Sequence, residues 1–319
     1  MALVNQIGTI SKSRDSLFLL GFITIYISNL LVGKVLGVNE TVEVIPLIVI
    51  FGFIFTSLAW LVTRNYSLHE SYKSARANEG YVIAGFIVYI TLFIILGNDA
   101  LFIGEIPGKA GEAVTLFRKV LVFVIVPFLF YKLFYGFSLK DFGLSTKWNT
   151  AAVLKSLLIF LLFSTLLIIL NYFAGTGAKP LRDGIFTTSQ IVKALPLFAV
   201  WLFIEVGLVE EFFFRGLLQN RLSAVLRSGT GAILISALIF GLVHAPGMYL
   251  REAGINDGLG AEPSVLNSIV YCIAIQSIPG LFLGILWERT RNLWLLMGIH
   301  AMFDLMPGLP EFITIWSIS

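Results

Sequence analysis

The chain has 319 residues, 57% of them hydrophobic and 13% charged, with a formal net charge of +3 and a mean hydropathy of +0.90. An ordinary soluble domain is about 25% charged, so this composition excludes one and implies an integral membrane protein. A single cysteine, Cys272, excludes an internal disulfide, and nothing is spaced like a thiolate metal site.

Apolar stretches near the ~20 residues needed to cross a bilayer occur at 16–37, 43–63, 80–97, 116–136, 151–175, 192–212, 231–246, 265–287 and 292–307. They predict an all-α, polytopic transmembrane bundle of eight or nine spans, the last one short. No run alternates with period two over successive segments, which argues against a β-barrel. The first run follows Lys12 and Arg14, exceeds a secretory apolar segment and lacks a small-x-small cleavage site. It is therefore expected to be a retained first helix. The abundant phenylalanine, 28 residues, reads as lipid-facing packing.

Loop charges alternate along the chain. The N-terminus, 64–79 (Arg64, Lys73, Arg76), 132–147 (Lys132, Lys140), 215–227 (Arg215, Arg221, Arg227) and 289–291 (Arg289, Arg291) are basic. The connections between them carry acids such as Glu40, Glu105, Glu252 and Asp257. Basic loops face the cytoplasm, so the N-terminus and the turns near 228 and 290 are expected there. This clustering reads as topology and not as nucleic-acid binding.

A polar stretch at 136–150 divides the chain. Ahead of it lie four spans with no acid or histidine at membrane depth; behind it lie all the polar spans. The expected organisation is an accessory bundle at 1–145 and a functional core at 146–319. Within that core, Glu210, Glu211, Arg215, His244, His300 and Asp304 sit in the otherwise apolar segments VEEFFFRGLL, LIFGLVHAPG and LLMGIHAMFDLM. A charged side chain at the bilayer centre costs at least ~2.5–3.5 kcal/mol, so a repeated cost of this kind points to a use or a partner.

Helix arithmetic brings these residues to one depth. The turn signal at 227–231 contains two glycines. At 1.5 Å per residue, Glu210 and His244 both lie roughly 22–26 Å from it, so a helical hairpin would set them side by side. Glu211 and Arg215 are four apart and can pair on one face, leaving Glu210, about 100° away around the helix, to point towards His244. Phe240 can pack on the His244 ring. His300 and Asp304 share a face. Glu205, about 140° from Glu210 around an α-helix, reads as structural or cavity-lining.

Glu210-Glu211-x-x-x-Arg215, Phe240-x-x-x-His244 and His300-x-x-x-Asp304 resemble the three motifs of the CPBP family. This is the CAAX protease and bacteriocin-processing group, also called ABI, which includes the type II CAAX prenyl endopeptidases. The resemblance spans roughly 148–306 and implies a glutamate-dependent intramembrane endopeptidase. By motif, Glu210 with His244 would activate a water, and His300 with the residue at 304 would stabilise the oxyanion. A carboxylate in an apolar setting holds its proton more readily than in water, which suits a general base near neutral pH. The prenyl endopeptidase carries Asn where this chain has Asp304. An ionised Asp cannot donate a hydrogen bond, so Asp304 would orient His300, which would donate alone.

The expected partners are a membrane-associated protein or peptide substrate and the lipid bilayer, with no nucleic acid. No cofactor is expected. The competing reading is zinc held by His244, His300 and Glu210, three ligands being enough for a catalytic site, although no His-Glu-x-x-His helix is present. Buried acids and histidines also suit a proton-coupled transporter, but that class predicts paired inverted repeats and the polar residues here lie in one half. A non-catalytic immunity or scaffold protein of the same fold is the other alternative. Glu211 with Arg215, and His300 with Asp304, also admit a purely structural pairing, since buried polar groups must find partners.

Overall fold

The computed structural model describes residues 2–38, 41–66, 73–96, 106, 108–144, 149–250, 259 and 264–318, with the backbone alone for 2–12 and 41–43. The loop acids Glu40, Glu105, Glu252 and Asp257 and the Lys12 side chain lie outside the described residues. Among the described residues no strand occurs, and nine helices are long and apolar enough to cross a bilayer. These are α1 (Ser13–Leu36), α2 (Val44–Thr63), α3 (Glu79–Leu96), α4 (Gly108–Tyr135), α5 (Thr150–Ala174), α6 (Thr188–Leu226), α7 (Gly229–Leu250), α8 (Val265–Thr290) and α9 (Leu293–Trp316). Large apolar side chains stand exposed along them, among them Leu17, Val35, Leu133 and Phe173. The protein is a multi-pass integral membrane protein, a polytopic helical bundle.

Two helices outrun their apolar segments. α6 is 39 residues long and takes in most of the stretch expected as a basic loop. Arg215 and Arg221 are each only 1% exposed. Both are neutralised in place, Arg215 by Glu211 at 2.7 Å and Arg221 by Glu79 at 2.5 Å, so the helix need not end to hydrate them. Glu79, expected just ahead of the third span, is correspondingly a fully buried acid in the first turn of α3. α9 continues past Pro307 and Pro310. Proline removes the N–H that would bond the carbonyl four residues earlier. For Pro307 that carbonyl belongs to Phe303, and Asn171 Nδ2 of α5 donates to it at 2.8 Å, so this carbonyl is satisfied inside the apolar region.

The chain groups into two compact units, 1–98 with 217–291 and 99–216 with 292–319. Each unit draws on residues from both sides of residue 145.

In the first unit α7 and α8 pack closely, a methyl group on Gly241 meeting Cys272 O at 2.8 Å. α1 is tied to α8 by Tyr26 Oη donating to Ala274 O at 2.7 Å and Asn29 Nδ2 to Val270 O at 2.9 Å. The basic connections gather at one end of this unit. Arg14 Nη1 donates to Leu226 O at 3.0 Å, Arg289 Nε to Thr63 Oγ1 at 2.6 Å, and Arg221 forks onto Glu79 while donating to Lys73 O at 3.0 Å.

In the second unit α9 packs against α5 and α6. Asn292 caps its first turn, accepting from Leu295 N at 3.3 Å, and reaches Ser156 Oγ of α5 at 3.0 Å. Thr187 and Gln190 form a capping box at the head of α6. The closest approach is at Gly207, where an added Cβ would lie 2.5 Å from Met297 O and 3.1 Å from Met297 Cα. Gly207 and Met297 stand three residues before Glu210 and His300, so this contact sets the spacing at which the polar side chains meet. Gly207→Ala is expected to force α6 and α9 apart at a cost of about 1–3 kcal/mol. A lowered thermal unfolding midpoint in detergent checks it, and an unchanged midpoint contradicts it.

Candidate active site

Five of the six polar residues singled out in the sequence, Glu210, Glu211, Arg215, His300 and Asp304, belong to the second unit, and His244 stands on α7 in the first. The α6 segment that carries the glutamates is not a uniform α-helix. Val209–Glu211 is a short α-helical stretch between π-helical Phe203–Leu208 and Phe212–Gln219. Wide turns of this kind are rare and frequent at functional sites. They occur also at Ile48–Phe55 of α2 and Leu121–Ile125 of α4, so they do not mark the site by themselves.

Three aromatic residues follow the glutamates and fix the rotation of this segment. Phe212, Phe213 and Phe214 are all at most 1% exposed. This corrects the lipid-facing expectation for the phenylalanines at this point of the chain. Phe212 stacks on Phe142 at 4.8 Å, and Phe213 meets Phe123 of α4 edge-on at 5.6 Å. Gly216 leaves room for Phe142 O, 3.0 Å from where its Cβ would be. With these rings turned into protein, Glu211 is turned inward as well.

Glu211 is 0% exposed, and its Oε1 is shared. Arg215 Nη1 donates to it at 2.7 Å, as the i,i+4 spacing predicts, and His300 Nδ1 lies 2.5 Å away. The link to His300 was not foreseen, because sequence spacing offered His300 only Asp304. A carboxylate paired with a guanidinium is an acceptor, so His300 Nδ1 carries the proton and donates. The other ring nitrogen, Nε2, is 3.9 Å from Glu210 Oε2, beyond direct hydrogen-bond length and within reach through one water. Glu210 keeps 21% of its side chain exposed. Asp304 stands one turn beyond His300 on α9 and is half-buried.

His244 shows the same anchoring by different means. Its Nδ1 is 2.6 Å from Phe240 O, and a carbonyl only accepts, so Nδ1 again carries the proton and Nε2 is the acceptor of the neutral ring. The Phe240 ring lies 4.8 Å from the imidazole, the packing expected from their spacing. Glu205 is held by Lys119 Nζ and by Trp201 Nε1, each at 2.7 Å. Its separation from Glu210 does not follow 3.6 residues per turn, because the π-helical stretch at 203–208 lies between them.

Within either unit, and among the described residues, no set of three His, Cys, Asp or Glu side chains is gathered as metal ligands. The arrangement in the second unit is a carboxylate partly open to its surroundings beside an imidazole whose tautomer is fixed by a second, fully enclosed carboxylate. Such a pair can accept a proton from water and donate one to a developing negative charge.

Residues 192–306 match the family model described as type II CAAX prenyl endopeptidase Rce1-like. No match was found among curated proteins or among solved structures. The matched segment contains all six residues, Glu210, Glu211, Arg215, His244, His300 and Asp304. Over this segment, about a third of its length, the chain is similar to the type II CAAX prenyl endopeptidases.

Proposed function

We propose that the protein is an intramembrane endopeptidase that hydrolyses a peptide bond in a membrane-associated protein or peptide, using a water activated by Glu210 and His244 without a metal. The observation that carries this reading is the His300 ring, fixed through Nδ1 on Glu211 at 2.5 Å with Nε2 turned to Glu210 at 3.9 Å. A structural pair needs only one of those carboxylates; a ring set between an enclosed one and an accessible one is suited to passing charge and protons.

In this scheme Glu210 takes a proton from the attacking water. His244, with Nδ1–H committed to Phe240 O, accepts from the same water at Nε2. Attack makes the scissile carbonyl tetrahedral and places negative charge on its oxygen. His300, oriented by Glu211 and Asp304, donates to that oxygen in its charged form. The proton held by Glu210 then passes to the leaving amine as the C–N bond breaks, releasing a new carboxyl and a new amino end. Glu211 and Arg215 touch no reacting atom and act as positioning residues. The family's description makes a peptide whose C-terminal residues follow a prenylated cysteine the first substrate to test, with the bilayer as the medium that delivers it. The gathering of the basic connections at one end of the first unit supports a common, cytoplasmic side for them and for the N-terminus.

Glu210→Gln is expected to keep the thermal midpoint of the parent and to lower proteolysis of a farnesylated peptide by about 10²–10⁴-fold, the range for loss of a general base. Glu211→Gln leaves Arg215 buried without its counter-charge, a loss of about 3–5 kcal/mol for a broken buried pair, and frees the His300 ring. It should lower the midpoint and the activity together. An active Glu210→Gln protein beside a well-folded, inactive Glu211→Gln protein would give the base role to the second glutamate.

Elemental analysis tests the metal-free part of the scheme. Purified active protein should carry well below one zinc per chain. About one zinc per chain, absent from a His244→Ala/His300→Ala variant, would replace water activation by Glu210 and His244 with zinc-bound water.

A further inference from the structure

At the end of the first unit where the basic connections gather, an open cleft of about 930 Å³ lies between the chain leading into α3 and the last turns of α6. Three cations line it: Lys73 and Arg76 from the connection before α3, and Arg227 from the turn after α6. Ser74 and Ser223 add hydroxyl groups, and Tyr81 stands at its edge. Among the described residues no acid lines it. Glu79, in the first turn of α3, is fully buried and engaged by the Arg221 fork and the Arg76 N–H, so its charge is matched inside the protein.

The level of the cleft in the membrane follows from the elements that form it. α3 begins at Glu79 and α6 ends at Leu226, so the cleft lies where apolar spans give way to water, which is the depth of lipid headgroups. Tyr81, 84% exposed in the first turn of α3, is the kind of residue that sits at this boundary. Arg227 has φ 51°, in the left-handed region that favours Gly or Asn at a helix end. A cation stands there instead, with its side chain in the cleft.

We propose that this cleft binds a phosphate group carrying net negative charge, as presented by an anionic phospholipid headgroup, with Lys73, Arg76 and Arg227 as its counter-charges and Ser74 and Ser223 as hydroxyl donors. Basic pockets between transmembrane helices at the membrane surface take anionic headgroups by this chemistry. The site is separate from Glu210 and His300 in sequence and chemistry, and its occupancy does not depend on the proteolytic reading.

The test uses the full chain purified in neutral detergent, with thermal midpoint and lipid retention by native mass spectrometry as readouts. The probes are dioleoylphosphatidylglycerol, dioleoylphosphatidylcholine and inorganic phosphate. Each Lys or Arg near an anionic surface contributes about fivefold, so a Lys73→Gln/Arg227→Asn variant should retain the anionic lipid ~30-fold less well. Asn is suited to the left-handed backbone at 227, and a Lys73→Arg/Arg227→Lys variant, which keeps both charges, should bind like the parent. Stabilisation of the parent by phosphatidylglycerol alone identifies a lipid site. Stabilisation by inorganic phosphate as well identifies a site open to free phosphate. Equal retention of the two lipids by the parent, or equal retention of phosphatidylglycerol by the parent and the charge-removed variant, overturns the proposal.

Discussion

One oxygen atom of Glu211 holds the second unit's polar centre together. It accepts from Arg215 on its own helix and from His300 on α9, in a position closed to solvent. Removing Arg215 would leave the Glu211 charge enclosed without its counter-charge, which costs more than the pair itself contributes. The other features of this region serve that atom. Gly207 lets α6 and α9 come close enough for the imidazole to reach it. The three consecutive phenylalanines turn the carboxylate inward, and Asn171 satisfies the Phe303 carbonyl that Pro307 leaves open on α9.

Two neighbouring glutamates thereby acquire different chemistry from geometry alone. Glu211 is enclosed and spent on orientation, whereas Glu210 keeps a fifth of its side chain accessible and faces the far side of the same imidazole. The two histidines are alike in a complementary way. Each commits Nδ1 to a fixed protein acceptor, Glu211 for His300 and the Phe240 carbonyl for His244, so each ring is held in one orientation and, when neutral, carries its proton on Nδ1. A ring held in one orientation needs no rearrangement before it accepts or donates a proton, a form of preorganisation.

The spans were legible in the sequence because a bilayer demands length and apolarity and little else; all nine apolar segments correspond to helices. The Glu211–Arg215 pair and the Phe240–His244 packing were also legible, since both are contacts within one helix turn. What the sequence hid is contact between helices. The reach of His300 to Glu211 depends on how closely α6 approaches α9, and that depends on Gly207, one glycine among 29 with nothing local to distinguish it. The ends of α6 were hidden for a related reason. Arg215 and Arg221 look like loop residues until their carboxylate partners are found, and Glu79 is 142 residues away from Arg221 along the chain.

The π-helical stretches on either side of Glu210 and Glu211 bear on how this protein can change over time. Closing each hydrogen bond over five residues rather than four stores one surplus residue per wide turn. Deleting a residue from 203–208 or 212–219 can be absorbed by tightening the turn to ordinary α-helix. The same deletion within 209–211 has no such reserve and must rotate one glutamate out of place. Indels in α6 should therefore be tolerated around the paired acids and not between them, so that related chains can differ in helix length while keeping the two carboxylates adjacent.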